Sequence, residues 1–175
     1  MMIICIGKRA LWKSGREIVK KLLLQFGVEE TIEICESQYG KPYIEKYDNI
    51  EFNISDTDSY IVVAINDENV PVGIDIESLE RRYDPKIGEK IFTVNEKRAM
   101  ENSVNKTQMF YEIWTLKEAY LKAVGTGLTA EICMIDTQRE MFRKNCLLRT
   151  IEKYNLVCSV YMINKIEKEV IWIEV

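Results

Sequence analysis

The chain contains no histidine. That absence removes every Ser-His-Asp or Cys-His mechanism and every metal site built on imidazole. Its five cysteines (Cys5, Cys35, Cys133, Cys146 and Cys158) are scattered and never form a C-x-x-C pair, which argues against a zinc site built on paired sulfur. They read as buried or incidental thiols. Proline is scarce at three residues, glycine stands at eight, and no low-complexity tract occurs, so a disordered chain is not indicated. The longest apolar runs, such as MMIICIG and KKLLLQFGV, are far too short to span a bilayer, so no membrane role is expected. The opening run has neither a basic lead nor a small-residue cleavage pattern and reads as a first strand; a cytoplasmic location is expected. Positive charge is not in excess either. Lys and Arg total 24 against 28 Asp and Glu, a net charge of −4 that disfavours a general nucleic-acid binder. Acid–base chemistry in such a chain falls to carboxylates, lysines or tyrosines.

What is present fits one domain, or two small halves sharing a core, in 175 residues. Residues 2–7 predict a strand, and 12–25 a helix with apolar residues at Trp12, Ile18, Leu22 and Leu23 and a stop at Gly27. SQYGKPY carries turn chemistry around Gly40 and Pro42. IEFNIS and YIVVAIN predict a hairpin across Asp56-Thr57-Asp58. Residues 84–124 have a helical period, broken near Phe92 and again at 103–106. EICMID, LVCSVYMI and VIWIEV predict short closing strands. This order of elements predicts an α+β fold, with a midpoint near 67–71. No repeat is visible in the letters.

Three clusters after the midpoint could carry chemistry. In VGIDIE, strand alternation sends Val72, Ile74 and Ile76 one way and sets Asp75 and Glu77 side by side on the other face. Like charges so close are costly, so the face is either wet or built around a cation. In FTVNE, Thr93 and Glu96 fit a helix capping box, which leaves carboxylate capacity for a second role. In WTLKEAYLKAVGTGL, Trp114, Glu118 and Lys122 fall on one helical stripe, either as an exposed ion-pair face or as a functional row. Taken together, three carboxylates offer the hard oxygen ligands that Mg²⁺ accepts, and a further carboxylate and lysine look like a base and a phosphate clamp.

These three segments, in this order, resemble the hallmark motifs of the 4′-phosphopantetheinyl transferases. YGKP and FNIS resemble two further motifs of the larger, single-chain branch, and the resemblance runs from about Tyr39 to Leu128. It implies a pseudo-dimer of two related α+β halves, here 1–70 and 71–175, the second carrying the metal and catalytic motifs. It implies transfer of the phosphopantetheine arm of coenzyme A to a serine of an apo acyl or peptidyl carrier protein, with release of 3′,5′-ADP and dependence on Mg²⁺. Carried over residue by residue, Asp75, Glu77 and Glu96 become the Mg²⁺ ligands. Glu118 becomes the base, and Lys122 holds the pyrophosphate of coenzyme A. Lys41 and Ser55 become contacts to the far end of coenzyme A. A pseudo-dimer has little reason to pair again, so a monomer is expected.

The chain departs from the family at Asp56, where the pattern N-[IV]-S-H-S carries a histidine against coenzyme A phosphate. An aspartate repels phosphate unless it turns away or pairs with a cation. Lys8, Arg9, Lys13 and Arg16 could supply phosphate contacts instead, or form a solvated face. Two alternatives to an active transferase therefore stand beside it. One is a weakly catalytic module that binds coenzyme A or a carrier protein, and the other is an unrelated Mg²⁺-dependent phosphohydrolase.

Overall fold

A computed structural model describes residues 1–28, 32–127, 130–163 and 170–175. Strand β1 (Met2–Lys8) leads to helix α1 (Gly15–Leu23). A two-stranded ribbon follows, β2 (Cys35–Glu36) with β3 (Pro42–Tyr43), and then the hairpin β4 (Glu51–Asp56) and β5 (Tyr60–Asn66). Strand β6 (Val72–Ser78) opens the second part, followed by α2 (Pro85–Ile91), α3 (Val94–Asn102) and the long α4 (Lys106–Val124). A single turn α5 (Glu140–Arg143), strands β7 (Cys146–Ile151) and β8 (Leu156–Met162), and the last strand β9 (Val170–Glu174) complete the chain. The architecture is α+β.

The repeat that the letters hide is present in the topology. In the first part, strand, helix, strand, strand gives a sheet ordered β4-β5-β1; in the second, the same succession gives β6-β8-β7. In both, the third strand lies in the middle and pairs antiparallel with its two neighbours. The strand β9 does not respect a division at residue 70: it runs parallel to β1 and completes the first sheet. It covers the outer edge of β1, whereas β4 approaches the corresponding edge of β6. One junction is thus filled by a strand, and the other is left for side chains.

Burial follows the period-two alternation. On β1, Ile3 and Cys5 face the apolar side of α1, and Met2, Ile4 and Ile6 face the second sheet. Both faces of the first sheet are therefore covered, which is why β1 and β5 read as nearly unbroken apolar runs. On β6, Val72, Ile74 and Ile76 join the layer between the sheets. Asp75 and Glu77 take the other face, beneath α4, as the alternation requires. The helices break where expected. Asp84 and Asn105 cap α2 and α4 with their side chains, and Thr93 and Glu96 form a reciprocal capping box on α3. EICMID is not a strand: residues 130–134 form a 3₁₀ turn.

Gly73 sets how closely α4 lies on β6. A Cβ at this position would stand 2.0 Å from Ala119 O and 2.4 Å from Ala123 N, so only glycine permits the crossing. Thr115 and Ser159 share a hydrogen bond of 2.6 Å beneath the same helix. This contact brings the Glu118 and Lys122 stripe over Asp75.

Candidate active site

The site lies where β4, β6 and α4 meet. Two side chains from the middle of β4 join the sheets in place of a backbone ladder. Asn53 Oδ1 accepts from Ile74 N at 3.0 Å, and Ser55 Oγ donates to Asp75 Oδ1 at 2.8 Å. Lys122, in the last turn of α4, donates to the same Asp75 oxygen at 2.7 Å and to Ser55 Oγ at 2.9 Å. Asp75 is only 6% exposed, and its other oxygen, Oδ2, is buried with no hydrogen-bond partner. Glu118, one helical turn before Lys122, likewise buries Oε1 without a partner. Such groups are rare in folded proteins and call for an explanation.

Charge explains their state. Burial, and then the neighbouring Asp75 and Glu77 carboxylates, push the Glu118 carboxyl up to about 7, with Lys122 opposing. Glu77 is raised by burial and by Asp75; Arg81, 3.9 Å away, and a hydrogen bond from Trp114 counter this. Asp75, Glu77 and Glu118 thus feel one another as a single acidic cluster with one ammonium inside it. Among the described residues, no three histidine, cysteine or acidic side chains stand as a finished metal cage. The two bare, hard oxygens are nevertheless what a Mg²⁺ ion would satisfy, so the donor set fits such an ion with Lys122 displaced.

Glu96 lies outside this cluster, in contrast to its expected place as third ligand. Its Oε2 accepts from Thr93 N at 2.7 Å and pairs with Lys117 Nζ at 2.9 Å; its Oε1 accepts from Thr137 N at 2.9 Å and from Thr137 Oγ1 at 2.8 Å. Every lone pair aimed at a partner has one, and no solvent reaches either side chain of the pair. Lys117 also donates to Ile132 O at 2.9 Å, tying α4 to the 3₁₀ turn. The third carboxylate near Asp75 and Glu77 is Glu118.

Other expected residues are also committed. Lys41 donates to Ala123 O at 3.1 Å and pairs with Glu51 at 3.1 Å, so it caps the C-terminal end of α4 and binds the ribbon to it. Ser55 touches Asp75 and Lys122 instead of standing apart from the metal residues. Asp56 turns to Arg9 in an ion pair, which neutralises the acid that replaces the family histidine. Arg16 pairs with Glu36, while Lys13 lines a separate hollow of about 750 Å³ along α1. Beside Glu77 opens a larger cleft of about 950 Å³, with Asp56, Tyr60, Arg81 and Lys153 on its walls. The final residue of the third motif, Leu128, lies outside the described residues. Asn53, Gly73 and the Trp114 contact were not singled out from sequence. The one signal for Asn53 is an amide set between the apolar Phe52 and Ile54 in the middle of β4.

A comparison with protein-family models matches residues 71–163 to the 4′-phosphopantetheinyl transferase superfamily. The chain belongs to this superfamily. It is 40% identical over 118 residues to the 4′-phosphopantetheinyl transferase gsp of Aneurinibacillus migulanus, a match covering 65% of this chain and 48% of that one. A 4′-phosphopantetheinyl transferase of Bacillus subtilis is 33% identical over 108 residues, with 61% and 43% covered. The L-aminoadipate-semialdehyde dehydrogenase-phosphopantetheinyl transferase of Mus musculus is 27% identical over 165 residues, with 77% and 51% covered. The chain spans about half the length of the curated relatives it matches.

Proposed function

We propose that this chain transfers the 4′-phosphopantetheine arm of coenzyme A to a serine of an apo acyl or peptidyl carrier protein, releasing 3′,5′-ADP. The observation that carries this reading is the pair of buried, unpartnered oxygens, Asp75 Oδ2 and Glu118 Oε1, with Lys122 beside them. Asp75, Glu77 and Glu118 would hold Mg²⁺, which supplies Lewis-acid polarisation and charge neutralisation to the diphosphate of coenzyme A. Glu118 takes the place in the ligand set that sequence reasoning gave to Glu96.

The remaining chemistry belongs to the chain. The serine Oγ forms a new bond to the phosphorus bearing the pantetheine, and the bond from that phosphorus to the 3′,5′-ADP oxygen breaks. The serine proton passes to the Glu118 carboxylate, directly or through water. Lys122 stabilises the negative charge that gathers on the departing 3′,5′-ADP. Ser55 and Asn53 of the first half keep β6 and its carboxylates in register with α4, so the reaction needs both halves of the chain.

The carrier protein would dock beside α2 and α3, at an apolar hollow of about 260 Å³ lined by Tyr83, Phe92, Met100 and Phe110; Arg81 and Arg82 precede α2 in the chain, and Lys86 and Lys90 belong to it. The pairing of Asp56 with Arg9 lessens the repulsion between that acid and phosphate, which supports the active reading. A cytoplasmic setting and a monomer are proposed; no described helix is long and apolar enough to cross a membrane. The test is mass spectrometry of an apo carrier protein incubated with this chain, coenzyme A and Mg²⁺. A gain of one phosphopantetheine group, abolished by EDTA, is the expected result. Release of nucleotide with no carrier present would instead identify a phosphohydrolase.

A further inference from the structure

Lys122 occupies the position in which the acidic cluster wants a cation. Its ammonium rests on the one Asp75 oxygen that is satisfied, 2.7 Å away, and on Ser55 Oγ at 2.9 Å. The neighbouring Asp75 Oδ2 and Glu118 Oε1 remain bare. A divalent ion on those oxygens and the ammonium on Oδ1 would be two like charges sharing one carboxylate in a poorly solvated pocket, an arrangement that strong repulsion disfavours. The lysine has somewhere to go. Its side chain is 28% exposed and sits in the last turn of α4, on a flexible four-carbon stem. Lys117 of the same helix has no such freedom, because it is fully buried between Glu96 and the carbonyl of Ile132.

We propose that Lys122 is an exchangeable internal cation: it holds Asp75 in the metal-free protein, leaves it when a divalent ion binds the carboxylates, and then turns to the phosphate groups of the anionic substrate. The proposal rests on the reading that Asp75 and Glu118 hold Mg²⁺. It makes metal and anion loading mutually reinforcing, because an anion that draws the ammonium off Asp75 also removes the metal's competitor, and such coupling is reciprocal. Ser55 is part of the device, since its hydroxyl bonds both the carboxylate and the ammonium in the resting state. The same lysine thereby opposes the charge of Asp75 and Glu118 in the resting state.

The test follows the Nζ chemical shifts of lysine, read through the neighbouring Cε protons, as Mg²⁺ alone is added to the full chain, with calorimetry on the same samples. Lys122→Arg keeps the charge and assigns the Lys122 signal. Mg²⁺ is expected to shift the Lys122 signal and leave that of Lys117 in place, and Lys122→Met is expected to bind Mg²⁺ about fivefold or more tighter, at the lower end of ordinary coupling between sites. Saturating Mg²⁺ that leaves the Lys122 signal unmoved overturns the proposal while sparing the metal site. A Lys122→Met variant that folds and binds Mg²⁺ no more tightly also overturns it. Absence of Mg²⁺ binding in wild type and variants overturns both the metal reading and this proposal, and the carrier-protein assay then stands as the separate test of transfer.

Discussion

Lys117 Nζ and Glu96 Oε2 meet at 2.9 Å with neither side chain exposed to solvent, one residue along the chain from Glu118. Burial pulls the ammonium below its ordinary value and the adjacent Glu96 opposes this, so the pair persists only while both members are present. Removing one leaves the other as an uncompensated buried charge, at a cost of about 3–5 kcal/mol. Lys117→Met should therefore lower unfolding stability by that order in urea titrations. The double variant Lys117→Met with Glu96→Gln should recover a good part of the loss. A single variant within about 0.5 kcal/mol of wild type, the range of ordinary surface changes, would mean the pair does not hold α3, α4 and the 130–134 turn together.

Gly73 offers a prediction of a different kind. Its missing Cβ faces backbone atoms, Ala119 O and Ala123 N, which cannot rotate aside as a side chain could. Gly73→Ala must push α4 away from β6, an overpacking cost of about 1–3 kcal/mol or more. The displacement also carries Glu118 and Lys122 away from Asp75. Mg²⁺ affinity and transfer should fall further than in a variant of equal instability elsewhere, which calorimetry and the mass-spectrometric assay would measure side by side.

The raised Glu118 carboxyl predicts a pH dependence with a definite sign. In the unfolded chain this group titrates near 4.5, and in the metal-free fold near 7. Below 4.5 both states hold the proton and the contribution is fully present. As pH rises toward 7 the unfolded chain gives up its proton first, so stability falls, by an order of about 3 kcal/mol. Glu77 is shifted the same way and adds to the slope. Thermal unfolding without metal should therefore decline over that interval, Glu118→Gln should flatten the decline, and Mg²⁺ should restore stability at its upper end. A Glu118→Gln profile that keeps the wild-type slope would assign the effect elsewhere.

Much of this arrangement could be read from local sequence, because local chemistry decides it. Alternation in VGIDIE placed Asp75 and Glu77 on one face, and the breaks near Phe92 and residues 103–106 divide α2, α3 and α4 where Thr93 and Asn105 act as caps. The proposed third ligand was not legible, because what separates Glu96 from Glu118 is distant in the chain. Glu96 is saturated by Lys117 and Thr137, whereas Glu118 is left bare by packing against β6. The same distant bond accounts for EICMID: the carbonyls of Ile132 and Ile135 turn inward to Lys117 instead of entering a ladder. The internal repeat escaped notice because the halves share strand order and not residues, and β9 pairs with β1 across almost the whole chain.

Ser55 separates the reading from sequence and the reading from geometry most cleanly. Family resemblance assigns it to the far end of coenzyme A, a contact made equally in ground and transition states. Its loss would then raise KM for coenzyme A and leave kcat unchanged. The geometry instead sets its hydroxyl between Asp75 Oδ1 and Lys122 Nζ, at 2.8 and 2.9 Å. Ser55→Ala should then cost about 1–3 kcal/mol of stability, as expected for a lost hydrogen bond to a buried charged group. It should depress kcat, because the Asp75 carboxylate loses the hydroxyl that fixes its position, while KM for coenzyme A changes little. Steady-state kinetics with coenzyme A varied at saturating carrier protein distinguishes the two. A rise in KM at constant kcat would return Ser55 to the substrate and leave Lys122 as the one described partner of Asp75 Oδ1.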